Sequence, residues 1–417
     1  MAKLAINGGQ KCITRRLGKS WPIFGEPERK AVLEVIDSGR WWGGGEGSKA
    51  WAFEDAFAAY QNARYGIATN SGTQALMCAL KAVGVESCDE VLVPALSFFA
   101  SATCVLMLNA IPVFVDVDPA SYNISAEAME AAITDRTRAA IVVHNGGYPA
   151  DMDAVMAVSR KHNLPIIEDC AHAQGTRWNG AGVGAIGHLG AFSLMAGKTL
   201  AGGEGGIILT NDEALRQGLY AYMDLGRWTD RKDKSVRLNL ASNFRMPELT
   251  AAVLLTQMER LDEQIERRER NFTYLAEGLK EIDGVEPFTR DPRVTRWSIY
   301  YWNFKYIQEA FDGVPRSTFL KAINAEGVPV GVGAHGSPIY RNALFQSMTG
   351  GNTWPLKCPG QEIDYANVFC PEAERIYQTE ALSIGQSAFL GEREEMDAIL
   401  EAIRKVRANT DELRQNP

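Results

Sequence analysis

Apolar and polar residues recur along this chain in two periods, and the two take turns. Over residues 27–38 Val32, Leu33, Val35 and Ile36 fall at helical spacing and Gly39 follows as a stop, which predicts an amphipathic helix. Residues 51–60 return to that spacing, with Phe53, Ala56, Phe57 and Tyr60 on one side. Short continuous apolar runs then appear at 65–69, 91–94, 111–118, 139–144 and 164–169. The first four each lead into a helical pattern, at 74–80, from 97–102, at 125–133 and at 151–163. Strands buried on both faces read as such unbroken runs, so the alternation predicts a doubly wound, mainly parallel sheet. Two further apolar runs, 190–194 and 205–210, bracket a glycine-rich stretch.

After Thr210 the pattern changes. Residues 212–225 read as a helix and 227–240 as a polar, charged, exposed loop. Pro247 suits a first helical position and opens a long stretch to about Ile282, rich in Leu, Glu and Arg and expected to break once. An aromatic strand at 298–306, a helix at 316–326, an apolar run at 328–332, a loop at 334–340 and a helix at 392–408 indicate a smaller α/β unit. The expected division is an N-terminal segment (1–26), a large domain (27–284) and a small C-terminal domain (285–417). The tail from Asn409 is expected to fray.

Composition narrows the function classes. With 46% hydrophobic and 23% charged residues, the chain has an ordinary globular composition and the length for two domains. A net charge of -8 argues against nucleic acid or an anionic membrane surface as partner. Apolar runs are too short to span a bilayer and the first nine residues too polar for a signal peptide, so a cytoplasmic protein is expected. The seven cysteines are odd in number without a C-x-x-C pair, and read as reduced thiols. The five histidines show no metal spacing, and no metal is expected.

In doubly wound sheets ligands bind beyond the carboxyl ends of the strands. Two candidates fall there, and a third lies in the glycine-rich stretch. The turn Asn70-Ser71-Gly72-Thr73 joins strand to helix; its free N–H groups and hydroxyls suit a phosphate, or serve as a plain N-cap. Asp169 ends a strand and could cap, pair with a cation or bind a metal. Lys198 lies in the almost uncharged stretch 190–206. Desolvation there would favour its neutral amine, which suits Schiff-base chemistry; the alternative is a solvated turn lysine. Trp41 and Trp42 precede the run Gly43–Gly47, an aromatic loop for a substrate pocket or a partner subunit. No G-x-x-x-x-G-K-[ST] or strand-linked G-x-G-x-x-G motif is present, which disfavours a nucleotide-binding protein.

Seven motifs stand in order: 70–73, 94–98, 112–118, 144–151, 168–175, 192–206 and 243–246. In these the chain resembles the DegT/DnrJ/EryC1/StrS aminotransferases, pyridoxal 5'-phosphate (PLP) enzymes of amino-sugar and aminocyclitol biosynthesis, including antibiotic biosynthesis. The resemblance implies the aspartate aminotransferase-like fold of PLP-dependent transferases, fold type I. It implies that Lys198 is the Schiff-base lysine and proton shuttle, and that Asp169 partners the pyridine nitrogen. Ser193, Gly72 and Thr73 match the phosphate site, Phe98 the aromatic residue on the ring face, and Ala171 the other face. Asn243 matches an asparagine that reaches the phosphate of the neighbouring subunit, which implies a homodimer with shared active sites. His172 departs from the commoner glutamine beside the ring hydroxyl. The strand 382–387 lacks a proline frequent in nucleotide-sugar members, and with Trp41-Trp42 this points to the scyllo-inosose aminotransferase and 3-amino-5-hydroxybenzoate synthase subgroup. The implied reaction passes an amino group from glutamate or glutamine, through the pyridoxamine 5'-phosphate form, to a sugar or cyclitol ketone. Arg245, Arg40 and His335 are candidates for the donor carboxylate. Two alternatives stay open: a PLP-dependent dehydratase or aromatising synthase, and an inactive PLP-binding regulator. Lys198 opposes the dehydratase type that carries histidine in its place.

Overall fold

Seven strands form the central sheet of the computed structural model, which describes residues 2–226, 240–349, 354–361 and 363–415. They are β1 (Tyr65–Thr69), β2 (Glu90–Pro94), β3 (Ile111–Val115), β4 (Thr137–Val143), β5 (Ile166–Asp169), β8 (Leu189–Ser193) and β9 (Gly206–Thr210). Between β5 and β8 lies a hairpin, β6 (Arg177–Trp178) and β7 (Ala181–Gly182), which pairs instead with β11 (Val294–Arg296). The central order is β1-β9-β8-β5-β4-β2-β3, and β9 alone runs against the others. The strand sequences are unbroken apolar runs because both faces are covered. Ala140 and Val142 feed one cluster, while Ala139, Ile141 and Val143 feed the other.

Helices cover these faces: α1 (Glu26–Ser38), α2 (Lys49–Tyr60), α3 (Gly72–Ala82), α4 (Ala100–Leu106), α5 (Ala126–Ala131), α6 (Met152–His162) and α7 (Glu213–Met223). The long stretch after Pro247 breaks once, at Glu259-Arg260, into α8 (Glu248–Met258) and α9 (Leu261–Leu279). A second, antiparallel sheet has the order β10-β12-β14-β13, from β10 (Val285–Pro287), β12 (Tyr301–Tyr306), β13 (Val330–Val332) and β14 (Ala381–Gly385). Against it lie α10 (Arg316–Ala325) and α13 (Arg393–Ala408), with α11 (Ala343–Gln346) and α12 (Pro371–Arg375) in an excursion before β14. That excursion covers the sheet edge at β3. Tyr365 donates to the Pro112 carbonyl at 2.9 Å, and Asp116 accepts from the Glu372 and Ala373 amides at the start of α12.

Three expectations are corrected. The helix expected from 97–102 begins as α4 at Ala100, because Ser97 and Phe98 turn toward the sheet edge. The tail does not fray at Asn409. It continues as α14 (Thr410–Gln415), with Leu413 buried and Glu412 accepting from Asn7 Nδ2 at 2.9 Å. The cysteines are not all reduced: Cys88 and Cys358 form a disulfide, with Cα atoms 5.5 Å apart across 270 residues of sequence. A pair so distant leaves no spacing signal. The exposed loop expected at 227–240 lies, save for Leu240, outside the described residues. Among the described residues no helix is long and apolar enough to cross a membrane.

Candidate active site

The carboxyl edge of the sheet gathers three strand ends and one strand start. After β1 the chain turns through Ser71, whose Oγ accepts from the Gln74 amide at 3.2 Å and caps α3. Gly72 packs directly on the end of β8: a Cβ there would lie 2.6 Å from Ser193 Cβ. The close approach sets the first amides of α3 beside the Ser193 hydroxyl, a ready anion site.

Asp169 ends β5 and is buried. Its carboxylate accepts from Ser101 Oγ at 2.8 Å and from the Ala171 amide at 3.2 Å. Burial raises its pKa, opposed by those two hydrogen bonds and by the charge of Lys198. Lys198 sits on the turn between β8 and β9. Burial pulls its pKa from 10.5 to about 8, and the charge of Asp169 opposes that fall. Its Nζ lies 4.4 Å from the centre of the Tyr300 ring.

His172 also stacks on Tyr300, with ring centres 4.4 Å and the planes 15° apart. His335 stands 4.8 Å from His172. Burial lowers both imidazole pKa values, that of His335 to about 3, so both are neutral. Among the described residues neither ring nitrogen of His172 has a hydrogen-bond partner, nor has His335 Nε2. Buried polar atoms are rarely left so, and these belong to a cavity of about 370 Å³ that Gly72, Thr73, Phe98, Asp169, Ser193 and Lys198 also line. Phe98 is half exposed at its rim, packed on Phe99 with ring centres 4.3 Å apart.

A second layer fixes the first. Gln174 donates to the Ser193 carbonyl at 2.6 Å and accepts from Thr199 Oγ1 at 2.6 Å, joining β8 to the lysine turn. Glu168 accepts from the amides of Gly184, Ile186 and Gly187 and from His144 Nε2. His144 Nδ1 accepts from the Ala150 amide, which fixes that tautomer. With Cys170 these two make the one metal-sized group among the described residues, and its oxygens and nitrogens are already bonded.

The structure therefore brings Lys198, Asp169, Gly72, Thr73, Phe98, His172, Ser193 and His335 together. Asn243, Arg245, Trp41, Trp42 and Arg40 stand apart. Asn243 is exposed, Arg245 pairs with Asp224 beside Trp42, and Arg40 donates to the Glu46 carbonyl. Tyr300, Ser101 and Gln174 escaped the sequence reading. Tyr300 had a signal, the aromatic run at 298–306; Gln174 had only its place in the motif 168–175, and Ser101, three residues past the motif 94–98, had none.

This arrangement sets a near-neutral amine against a buried carboxylate, with an anion site between a helix start and a strand end. A model of the DegT/DnrJ/EryC1/StrS aminotransferase family matches residues 22–380. The L-glutamine:2-deoxy-scyllo-inosose aminotransferase of Micromonospora echinospora is 36% identical, over 99% of this chain and 100% of that protein. The 3-amino-5-hydroxybenzoate synthase of Amycolatopsis mediterranei is 35% identical, over 86% of this chain and 89% of its own length. A crystal structure of 3-amino-5-hydroxybenzoic acid synthase superposes with a TM-score of 0.82 at 33% identity, covering 94% of this chain and 99% of that one. The fold is that of the PLP-dependent transferases of fold type I.

Proposed function

The chain belongs to the DegT/DnrJ/EryC1/StrS aminotransferase family, and on that premise we propose that it moves an amino group from L-glutamine to a ketone on a free cyclitol ring, with PLP as cofactor. The observation that carries this reading is the convergence of Lys198 and Asp169 on one cavity whose other polar groups are uncharged or hydroxylic save Glu204. Lys198 is the only lysine or arginine lining it among the described residues. A neutral polyol fits such a wall better than a nucleotide diphosphate. Relatives named for scyllo-inosose ketones and for L-glutamine support the same choice.

The residues present fit PLP. The Gly72–Ser193 approach leaves a cradle that a Cβ would fill, and the unpartnered nitrogens of His172 call for a polar partner. Ser193, Thr73 and the start of α3 would hold the phosphate, Asp169 the pyridine nitrogen and His172 the ring hydroxyl. When bound, the cofactor supplies an aldehyde carbon that accepts the amino group and a ring that withdraws electrons. Asp169 would favour a positive charge on that nitrogen, because burial penalises its ionised form more than its two hydrogen bonds and the charge of Lys198 offset. Lys198 Nζ takes the proton from the donor's α-carbon and returns one when the ketone is aminated. His172, His335 and Tyr300 orient ring hydroxyls and exclude water. We place Asn243 in the site of a second copy of the chain, since it is exposed and does not line the cavity of its own.

A second reading rests on the likeness to 3-amino-5-hydroxybenzoate synthases: an aromatising synthase on the same site. One experiment separates the two. The protein loaded with pyridoxamine 5'-phosphate is offered scyllo-inosose, amino-deoxy-cyclitol ketones and nucleotide keto-sugars, and the PLP-loaded protein an unsaturated ring ketone. Return of the visible absorbance with free cyclitol ketones is the expected outcome. Return with nucleotide keto-sugars alone would overturn the substrate class. An ultraviolet-absorbing aromatic product with loss of water from an unsaturated ring ketone would favour the synthase.

A further inference from the structure

Beneath the Lys198 turn lies a fully buried arginine that nothing in the proposed chemistry uses. Arg268, on α9, has no exposed surface, and among the described residues no carboxylate pairs with it. One terminal nitrogen donates to Gln386 Oε1 at 2.5 Å; among the described residues Nε and the other terminal nitrogen have no hydrogen-bond partner. Its guanidinium carbon lies 5.1 Å from the centre of the Trp21 ring. A buried cation with one hydrogen bond is expensive, and a methionine of similar volume would pack there at lower cost. Packing alone does not account for it.

Its two neighbours both hold the catalytic turn. Gln386 Nε2 donates to the Gly197 carbonyl at 2.7 Å, and Trp21 Nε1 donates to the Lys198 carbonyl at 3.1 Å. The backbone amide of Gln386 also donates to the Tyr300 carbonyl at 3.0 Å, so the same residue holds the ring under the lysine amine. A guanidinium only donates and a carbonyl only accepts. Arg268 therefore forces the Gln386 amide to turn its oxygen to the arginine and its nitrogen to Gly197. Three separate segments meet here: the N-terminal segment before α1, helix α9, and the exit of β14.

We propose that Arg268 is a positioning residue for Lys198, acting through Gln386 and Trp21 to fix the Gly197 and Lys198 carbonyls and so the direction of the lysine side chain. This rests on Lys198 being the residue that joins the cofactor. Misplacing a reacting group by an ångström can cost about a hundred-fold in rate, which sets the scale of the effect.

The test uses the full chain with three substitutions: Arg268→Met, Gln386→Glu and Trp21→Phe. Melting temperature, the rate at which visible absorbance builds on adding PLP, and its pH profile are measured on each. Amine labelling of Lys198 before PLP is added, counted by peptide mass, gives a readout independent of turnover. A positioning role predicts that Arg268→Met melts no lower than the wild type, yet captures PLP about ten-fold more slowly with an altered pH profile. Gln386→Glu keeps the acceptor for Arg268 and loses the donor to Gly197, and is expected to slow capture equally. Trp21→Phe keeps the ring and loses one donor, and is expected to slow it less. Wild-type capture, labelling and pH profile in Arg268→Met would overturn the proposal. If that variant fails to fold, the same result in Gln386→Glu would overturn it. Visible absorbance persisting in Lys198→Ala would instead sink the underlying assignment of Lys198.

Discussion

Lys198 and Asp169 carry opposite consequences of the same burial. The lysine's pKa falls to about 8, so before PLP is added the folded chain holds fewer protons there than the unfolded chain between about pH 8 and pH 10.5. The stability it contributes is thus present above pH 10.5 and lost as pH falls through about 8. Amine labelling of Lys198 is expected to rise with a midpoint near pH 8; a midpoint near the ordinary lysine value would refute its desolvation. Asp169 is raised instead, so its contribution is present below the ordinary value of 3.8 and lost as pH rises through its raised value. At neutral pH the ionised carboxylate is a burden that a cationic ring nitrogen would relieve. Asp169→Asn is therefore expected to melt no lower than the wild type without PLP, while transaminating at least about a hundred-fold more slowly, read by single-turnover absorbance. These two residues were legible because each ends or follows a strand at the edge where ligands bind. Tyr300 lay in a legible aromatic run, but its approach to Lys198, like that of Gln386, was not legible, because only the folding back of a second sheet brings them there.

At the scale of elements, the site depends on how closely α3 approaches β8. Gly72 is the contact, and only the lack of a side chain lets its backbone lie against Ser193. Gly72→Ala should push the two elements apart; overpacking of this kind costs about 1–3 kcal/mol, so PLP affinity is expected to fall about ten-fold or more. Titration of the visible absorbance measures it, and unchanged affinity in a folded variant would show that the cradle is not the phosphate site. The strands around it were readable from sequence because each is buried on both faces and needs an unbroken apolar run. What covers the sheet edge was not. Phe114 meets Tyr340, Phe345 and Tyr365 edge-on, residues more than two hundred positions away in a stretch with no clear period. The Cys88–Cys358 bond ties the same two regions, and it too is a contact that spacing cannot announce.

On the scale of the whole molecule, one group of residues does not line the Lys198 cavity of its own chain. Trp41 and Trp42 are each 58% exposed, Leu240 is 98% exposed, and Asn243 lies close by in sequence, exposed and apart from the Lys198 cavity. Isolated apolar residues on a surface need no explanation, but paired tryptophans beside an exposed asparagine suit a face that a second copy covers. If so, Asn243 of one chain completes the site of the other. Mixing Lys198→Ala subunits with Asn243→Ala subunits decides it. Each homodimer is impaired at both sites. In a mixed dimer one site carries both defects, and the other pairs an intact Lys198 with an intact Asn243 from across the interface. Random exchange makes about half of the dimers mixed, so per-site activity should recover to about a quarter of the wild type. Were Asn243 to act within its own chain, no site in any dimer would be intact, and mixing would give only the average of the two impaired proteins. Recovery that follows the mixing ratio and saturates with subunit exchange therefore reports a shared site, whatever ketone the enzyme takes.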